Sequence, residues 1–277
     1  MRSICKIALW TLVVLATVVS QAATYTTISA YGYPTTVYRI NSEGTMVGAY
    51  GDGEISYAFV MKANGVTTTL KIPGAKGTTV ATGINDSGAI VGTYYNGTAT
   101  HGFMLVDGVY TTIDFPGAVY TQPWDINDAG TIVGAYSLDN LHTYGYIQND
   151  TTFVTINPGE SESSQAIGIN NANVIVGIAA SIPDYTYGYW FDTRFHVLPL
   201  PEEASAAALG INDHMQIVGY YTLREQEHAF EYADGRIAGT DYPGATYTYN
   251  YDINNKGEIV GQYVIAGVYY AFLRTED

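Results

Sequence analysis

Tyr120, Trp124, Tyr247, Tyr249 and Tyr251 stand close in sequence to turn-forming residues, as do Asp139, His142, Asp184 and Tyr185. Exposed aromatic rings beside carboxylates suit a sugar, whose C–H face stacks on a ring while its hydroxyls reach acceptors. These nine residues form the candidate ligand-binding set. Two further strings look like oxygen-ligand loops, Asp125-Ile126-Asn127-Asp128-Ala129-Gly130 and Asp252-Ile253-Asn254-Asn255-Lys256-Gly257. A calcium hand needs oxygen donors at positions 1, 3 and 5 and a Glu at position 12. Position 5 is Ala129 or Lys256, so both strings read as hairpin turns. No cofactor is expected, and Ca²⁺ at a ring of acids has no motif behind it. The five histidines do not cluster. His101 and His228 fill a repeat position held elsewhere by Tyr57, Tyr144, Tyr187 and Tyr270, which makes them packing residues rather than metal ligands. No Gly-x-Ser-x-Gly elbow, His-Glu-x-x-His pair or phosphate loop occurs. No catalytic residue is assigned.

The elements that would position these groups repeat along the chain. Ile-Asn occurs at 40–41, 84–85, 126–127, 169–170, 211–212 and 253–254. Seven residues after each Asn lies a Gly, namely Gly48, Gly92, Gly134, Gly177, Gly219 and Gly261. Each is preceded by Val. A turn rich in Asn, Asp and Gly separates the two, as in Asn85-Asp86-Ser87-Gly88. A third piece carries an aromatic–small–aromatic triplet such as His101-Gly102-Phe103 or Tyr144-Gly145-Tyr146. A period of two places both rings on one strand face. The fourth piece ends in strings such as Ile113-Asp114-Phe115-Pro116-Gly117-Ala118, an ending that Phe195–Glu203 lacks.

Four short strands in about 40 to 45 residues is the size of one β-propeller blade. The expected fold is all-β, a six-bladed propeller of four-stranded blades. The sixth repeat stops at Asp277, after its third strand. Tyr25-Thr26-Thr27-Ile28 matches Tyr110-Thr111-Thr112-Ile113, so an N-terminal strand is predicted to complete the last blade beside Tyr270 to Leu273. Closure of this kind removes two open edges. The turns between strands 1 and 2, and between 3 and 4, share one face. The 2–3 and 4–1 connections share the other, and they are expected to be longer and to carry binding.

The Gly-Ile-Asn-Asp-x-Gly-x-Ile-Val-Gly string, the His228-Ala229-Phe230 triplet and the Ile113-to-Ala118 string resemble the HAF repeat of extracellular bacterial proteins. The resemblance covers essentially the whole chain after residue 22. It implies an extracellular repeat protein and supplies no catalytic residues.

Composition narrows the partners. Lys and Arg number 11 against 26 Asp and Glu, for a net charge of −15, which argues against nucleic acid. Arg2 and Lys6, the apolar run Ile7 to Val19, and Ser20-Gln21-Ala22 read as a secretory signal over residues 1–22. Residues 23–277 then form one propeller domain, with no membrane span after the signal. The one cysteine, Cys5, lies inside that segment. The sequence therefore suggests a secreted, monomeric, non-catalytic propeller that binds a glycan or an extracellular protein through its 2–3 and 4–1 loops. The alternative is an extracellular polysaccharide hydrolase or lyase with carboxylates at the channel mouth.

Overall fold

The computed structural model describes residues 23–181, 185–201 and 204–276. The expected signal segment, residues 1–22, and Asp184 lie outside the described residues. Strand β1 (Ala23–Ile28) comes first. The first blade follows with β2 (Thr35–Ile40), β3 (Met46–Gly51), β4 (Ser56–Met61) and β5 (Thr67–Thr69). The second holds β6 (Thr79–Ile84), β7 (Ile90–Tyr95), β8 (Thr100–Val106) and β9 (Val109–Ile113). The third holds β10 (Tyr120–Ile126), β11 (Ile132–Ser137), β12 (Tyr144–Asn149) and β13 (Thr152–Ile156). A single 3-10 turn at Pro158–Glu160 leads to the fourth, with β14 (Ser163–Ile169), β15 (Ile175–Ser181), β16 (Tyr185–Phe191) and β17 (Phe195–Val197). The fifth holds β18 (Ser205–Ile211), β19 (Ile217–Leu223), β20 (Gln226–Ala233) and β21 (Arg236–Gly239). The sixth holds β22 (Tyr247–Ile253), β23 (Ile259–Ile265) and β24 (Val268–Glu276), and β1 is its fourth strand. All six sheets are antiparallel, and the protein is a six-bladed β-propeller as the repeats imply. Among the described residues no helix is long and apolar enough to cross a membrane.

The expected closure is present. β1 pairs with β24 from Ala23↔Glu276 to Ile28↔Ala271. Tyr25 packs edge-on to Phe272 and Tyr242, at ring separations of 5.3 and 4.9 Å, which ties the closing strand to the fifth and sixth blades.

The repeat motifs have physical reasons. A Cβ on Gly48 would lie 2.0 Å from the Thr36 carbonyl oxygen, and one on Gly177 the same distance from that of Gln165. The cross-strand ring lies over each glycine, Phe59 on Gly48 and Tyr189 on Gly177. The glycine is therefore a seat for the ring, a device that couples adjacent strands of a blade. These rings are fully buried, and the apolar clusters run from blade to blade: Val47 and Ala58 of the first pack with Ala81, Ile90 and Phe103 of the second.

The asparagines close a second circuit. Asn41 Oδ1 accepts from the amides of Glu43 and Thr45, which fixes the 1–2 turn. Its Nδ2 donates to the carbonyl of Asn85 in the next blade at 3.1 Å. Asn85, Asn127, Asn170 and Asn212 repeat this donation, and Asn254 returns it to Asn41 at 3.0 Å. An aspartate could fill the turn role but has no proton to donate onward.

Each innermost strand carries a β-bulge at one repeat position. The extra residues are Tyr38, Thr82, Trp124, Ile167, Leu209 and Tyr251. A bulge twists the strand and re-aims its backbone and side chains. Here it sets the lining of the channel.

Candidate functional site

The residue after each bulge is Arg39, Gly83, Asp125, Gly168, Gly210 or Asp252. The glycines make room for what the other three place on the axis. A Cβ on Gly210 would come within 2.7 Å of Asp252 Oδ1, and one on Gly83 within 2.8 Å of the Asp125 Cα. Arg39, 3% exposed, reaches across the ring. Its guanidinium donates to the bulge carbonyls of Tyr38 at 2.9 Å, Tyr251 at 3.2 Å and Leu209 at 3.1 Å, and also to that of Ile167. Its Nε lies 3.4 Å from Asp125 Oδ1. Asp125 Oδ2 accepts from the Ile169 amide and Asp252 Oδ2 from the Ile40 amide, so each carboxyl also clamps the next blade.

Two buried acids face one cation. Burial pushes both carboxyls above their ordinary range, and Arg39 opposes this at each. Asp252 is pushed up to about 7 by burial, with the Asp125 charge adding to the rise. The pair therefore keeps a proton to higher pH than free carboxyls do.

On the 1–2-turn face, a narrow funnel of about 70 Å³ opens over Asp125 and Asp252. Its mouth is a ring of Ser42, Asp86, Asp128, Asn171, Asp213 and Asn255. Asp86 Oδ1 accepts from the Ser42 amide at 2.7 Å, Asp128 Oδ1 from the Asp86 amide at 2.8 Å, and Asp213 Oδ1 from the Asn171 amide at 2.8 Å. Asn171 Nδ2 further bridges Asp128 and Asp213 at 2.8 and 2.9 Å. These acids serve as links between blades. Among the described residues no three His, Cys, Asp or Glu side chains converge to hold a metal ion.

The described candidate ligand-binding residues fall in the third, fourth and sixth blades. Tyr120, Trp124, Tyr247, Tyr249 and Tyr251, expected on 4–1 loops, instead lie in the innermost strands β10 and β22, because the Pro-Gly turns end early and the strands begin sooner. Trp124 occupies a bulge, and its Nε1 is buried without a partner. The Tyr251 hydroxyl donates to Gln262 at 3.1 Å, and its ring lies 5.8 Å from Tyr38. Burial pushes its phenol up. The Tyr249 hydroxyl donates to Glu227, and its ring packs edge-on to Tyr220 at 5.0 Å. Tyr247 is half-buried at the start of β22. Tyr120, its phenol pushed up to about 12 by burial, helps line a cleft of about 210 Å³ with His101 and Asp114. Asp139 and His142 do meet, in the 2–3 loop of the third blade, with Nδ1 2.9 Å from Oδ2. That side-chain bond, with the amides of His142 and Leu141, holds the Asp139 carboxyl well below its usual range. The backbone of Tyr185 begins β16. The fifth 2–3 connection, expected to run from Tyr221 to Glu227, is a two-residue hairpin at Arg224-Glu225, both at positive φ.

The sequence reading missed the central group. Arg39, Asp125 and Asp252 were legible as departures from glycine in the residue before Ile-Asn. It also missed that the two repeat histidines are paired. His101 Nδ1 lies 2.9 Å from Asp114 and His228 Nδ1 2.8 Å from Asp241, with Tyr94 and Tyr221 beside the rings as packing neighbours. The signal was an Asp thirteen residues after each His.

The fold and its channel define a closed six-bladed propeller with a self-filled axis. No described protein family matches the chain, and no curated protein matches it. Solved structures resemble it in fold. TolB from Acinetobacter baumannii superposes with a TM-score of 0.59 at 7% identity, over 90% of this chain and 56% of that one. This chain also spans 43% of a prolyl endopeptidase to which it is similar. The propeller domain of the trilobed protease from Pyrococcus furiosus, described as having an open velcro topology, gives a TM-score of 0.57 at 12% identity, over 87% of this chain and 83% of that one. A catalytically inactive virginiamycin B lyase from Staphylococcus aureus, in complex with quinupristin, gives a TM-score of 0.54 at 10% identity, over 91% and 88%. At such identities the likeness is one of fold.

Proposed function

We infer that the chain is a secreted, non-catalytic binding module of HAF-repeat type, and that its 2–3 and 4–1 connections present the surface for an extracellular glycan or protein. One observation carries the reading. The carboxylates best placed for acid–base chemistry are engaged in holding the ring, those on the axis by Arg39 and main-chain amides and those at the mouth by the neighbouring turn. The opposite face keeps half-exposed aromatic rings and a short exposed loop around Asp139, with Leu141 81% exposed. Exposed apolar side chains on loops of a rigid scaffold suit recognition.

A second reading has its own support. Asp252, with its carboxyl near 7, opens to the funnel and could act as a general acid in an extracellular hydrolase or lyase. A glycan array run beside a polysaccharide degradation screen tests both. Retention of glycans without new reducing ends or unsaturated products supports the binding module. Degradation that is lost in Asp252→Asn overturns it.

A further inference from the structure

The six blades are near copies, so a place where one departs in several residues at once is informative. One such departure is the connection from β1 to β2. In three other 4–1 connections a Pro-Gly pair makes the turn, and an Ala amide closes it: Ala75 onto Ile72, Ala118 onto Phe115, and Ala245 onto Tyr242. In the β1–β2 connection the same bond runs from the Tyr33 amide to the Ala30 carbonyl at 3.1 Å. Tyr31 and Gly32 stand where Pro and Gly stand elsewhere, and Tyr33 replaces the Ala.

Two consequences follow. First, Tyr31 sits at φ 55°, a left-handed conformation that a bulky residue rarely adopts. Its hydroxyl donates to the Thr67 carbonyl at 2.8 Å, and its side chain is left 55% exposed. Second, an aromatic cover is missing. Phe115 stacks on Tyr136 at 3.5 Å between ring centres, and Tyr242 stacks on Tyr263 at 3.8 Å. The equivalent of Phe115 and Tyr242 in this connection is Ala30, and the tyrosine it would cover is Tyr50. Tyr31 instead stands edge-on to Tyr50 at 5.1 Å, and Tyr33 and Tyr57 lie tilted to it at 5.9 and 5.7 Å.

The result is an open cleft of about 240 Å³ lined by Tyr33, Tyr50, Gly51, Asp52 and Tyr57. Tyr33 is 50% and Tyr57 45% exposed. Asp52 closes one side. The amides of Glu54 and Ile55 donate to its Oδ1 and hold its carboxyl below the ordinary range, so it is an anion at neutral pH. Glu54 adds a second exposed carboxylate beside it.

We propose that this tyrosine cleft binds the ring of a neutral pyranose sugar, with the C–H face of the sugar against Tyr50 and its flanking rings and the hydroxyls donating to Asp52. The proposal rests on the binding-module reading and adds to it a site and a ligand class. A flat apolar face edged by hydroxyl donors matches an aromatic floor edged by acceptors. The two carboxylates and the net charge of −15 disfavour uronic-acid and sulfated glycans. Tyr50 is kept in place for the task by its hydroxyl bond to Thr69 at 2.7 Å. The site shares no residue with the nine singled out from the sequence.

The test is an array of neutral and anionic glycans probed with the purified chain and with Tyr33→Ala, Tyr57→Ala and Tyr120→Ala, followed by titration of the best neutral glycan and of choline. Both cleft positions are half-exposed, so melting temperatures should stay close to that of the parent. Selective retention of neutral glycans, weakened about tenfold or more in Tyr33→Ala and Tyr57→Ala but not in Tyr120→Ala, is the expected result. Neutral glycan binding that survives both cleft substitutions overturns this site and leaves the rest of the loop face as the binding surface. Retention of anionic glycans alone overturns the ligand class. No glycan binding of any kind also overturns it, and leaves the binding-module reading to be tested with proteins. Choline binding that the cleft substitutions abolish makes the cleft a cation cage and equally refutes the sugar assignment.

Discussion

Replacing Arg39 with Met removes the one cation on the axis. Arg39 is 3% exposed, and its guanidinium serves four bulge carbonyls and Asp125. Without it those carbonyls lose a shared donor, and Asp125 and Asp252 face each other without a counter-charge. Taking one partner from a buried ion pair costs about 3–5 kcal/mol. That is a large part of the roughly 5–15 kcal/mol that holds a domain folded. The loss should depend on pH. Burial already raises both carboxyls, and Arg39 is what opposes the rise. In Arg39→Met both rise further, so the fold keeps protons that the unfolded chain releases. The stability from a carboxyl raised in the fold is fully present below its unfolded value of about 4, and is lost as pH climbs to its folded value. The variant should therefore be weakest near pH 8 and recover towards about pH 5, by about 1.4 kcal/mol per pH unit for each proton involved. Asp125→Asn should cost less near pH 8, because the ionised Asp252 remains as a counter-ion to Arg39 and no longer has the charge of Asp125 against it. Urea melts of the parent and both variants at the two ends of this range decide the matter. A parent-like Arg39→Met near pH 8, or a deficit equal at both ends, refutes the argument.

Asp252→Asn should be tolerated, since an amide mimics the protonated carboxyl and its oxygen can still accept from Ile40. It should also flatten the fall in parent stability expected as pH rises from about 4 to 7, and an unchanged pH profile by calorimetry would count against the raised carboxyl. Asn127→Asp removes the donor to Asn170 and adds a charge to the turn ring, for an expected loss of about 1–3 kcal/mol in a denaturant melt. The same change at a surface asparagine such as Asn64 should cost almost nothing. Deleting residues 24 to 30 strips β24 of its outer partner and Phe272 of the Tyr25 ring. The melting temperature should fall steeply, and equal melts of the long and short chains would show that the closing strand contributes little.

The fold was legible because each repeat states its own constraints. Gly48 and its equivalents must be glycine since a Cβ has no room beneath the neighbouring carbonyl, and Asn41 and its equivalents must be Asn since one side chain both caps a turn and donates to the next blade. Both demands recur at every blade, so they appear as a period in the sequence. The groups of interest are departures from that period, and a period hides its exceptions. Arg39, Asp125 and Asp252 are single residues at a position where glycine is the commonest choice, and only the ring brings together residues 213 positions apart in the chain, counting from Arg39 to Asp252. The tyrosines told the reverse story. Tyr249 and Tyr251 looked like loop residues because the turn signal before them is strong, yet the innermost strand starts at Tyr247 and carries both towards the axis. Tyr31 and Tyr33 drew no notice, and Tyr57 was read only as a repeat position, because exposed tyrosines are common in a chain with 26 of them. What distinguishes them is that Ala30 stands where two other blades place an aromatic cover. That absence becomes visible only when the blades are superposed side chain by side chain, because the missing contact joins residues from different repeats.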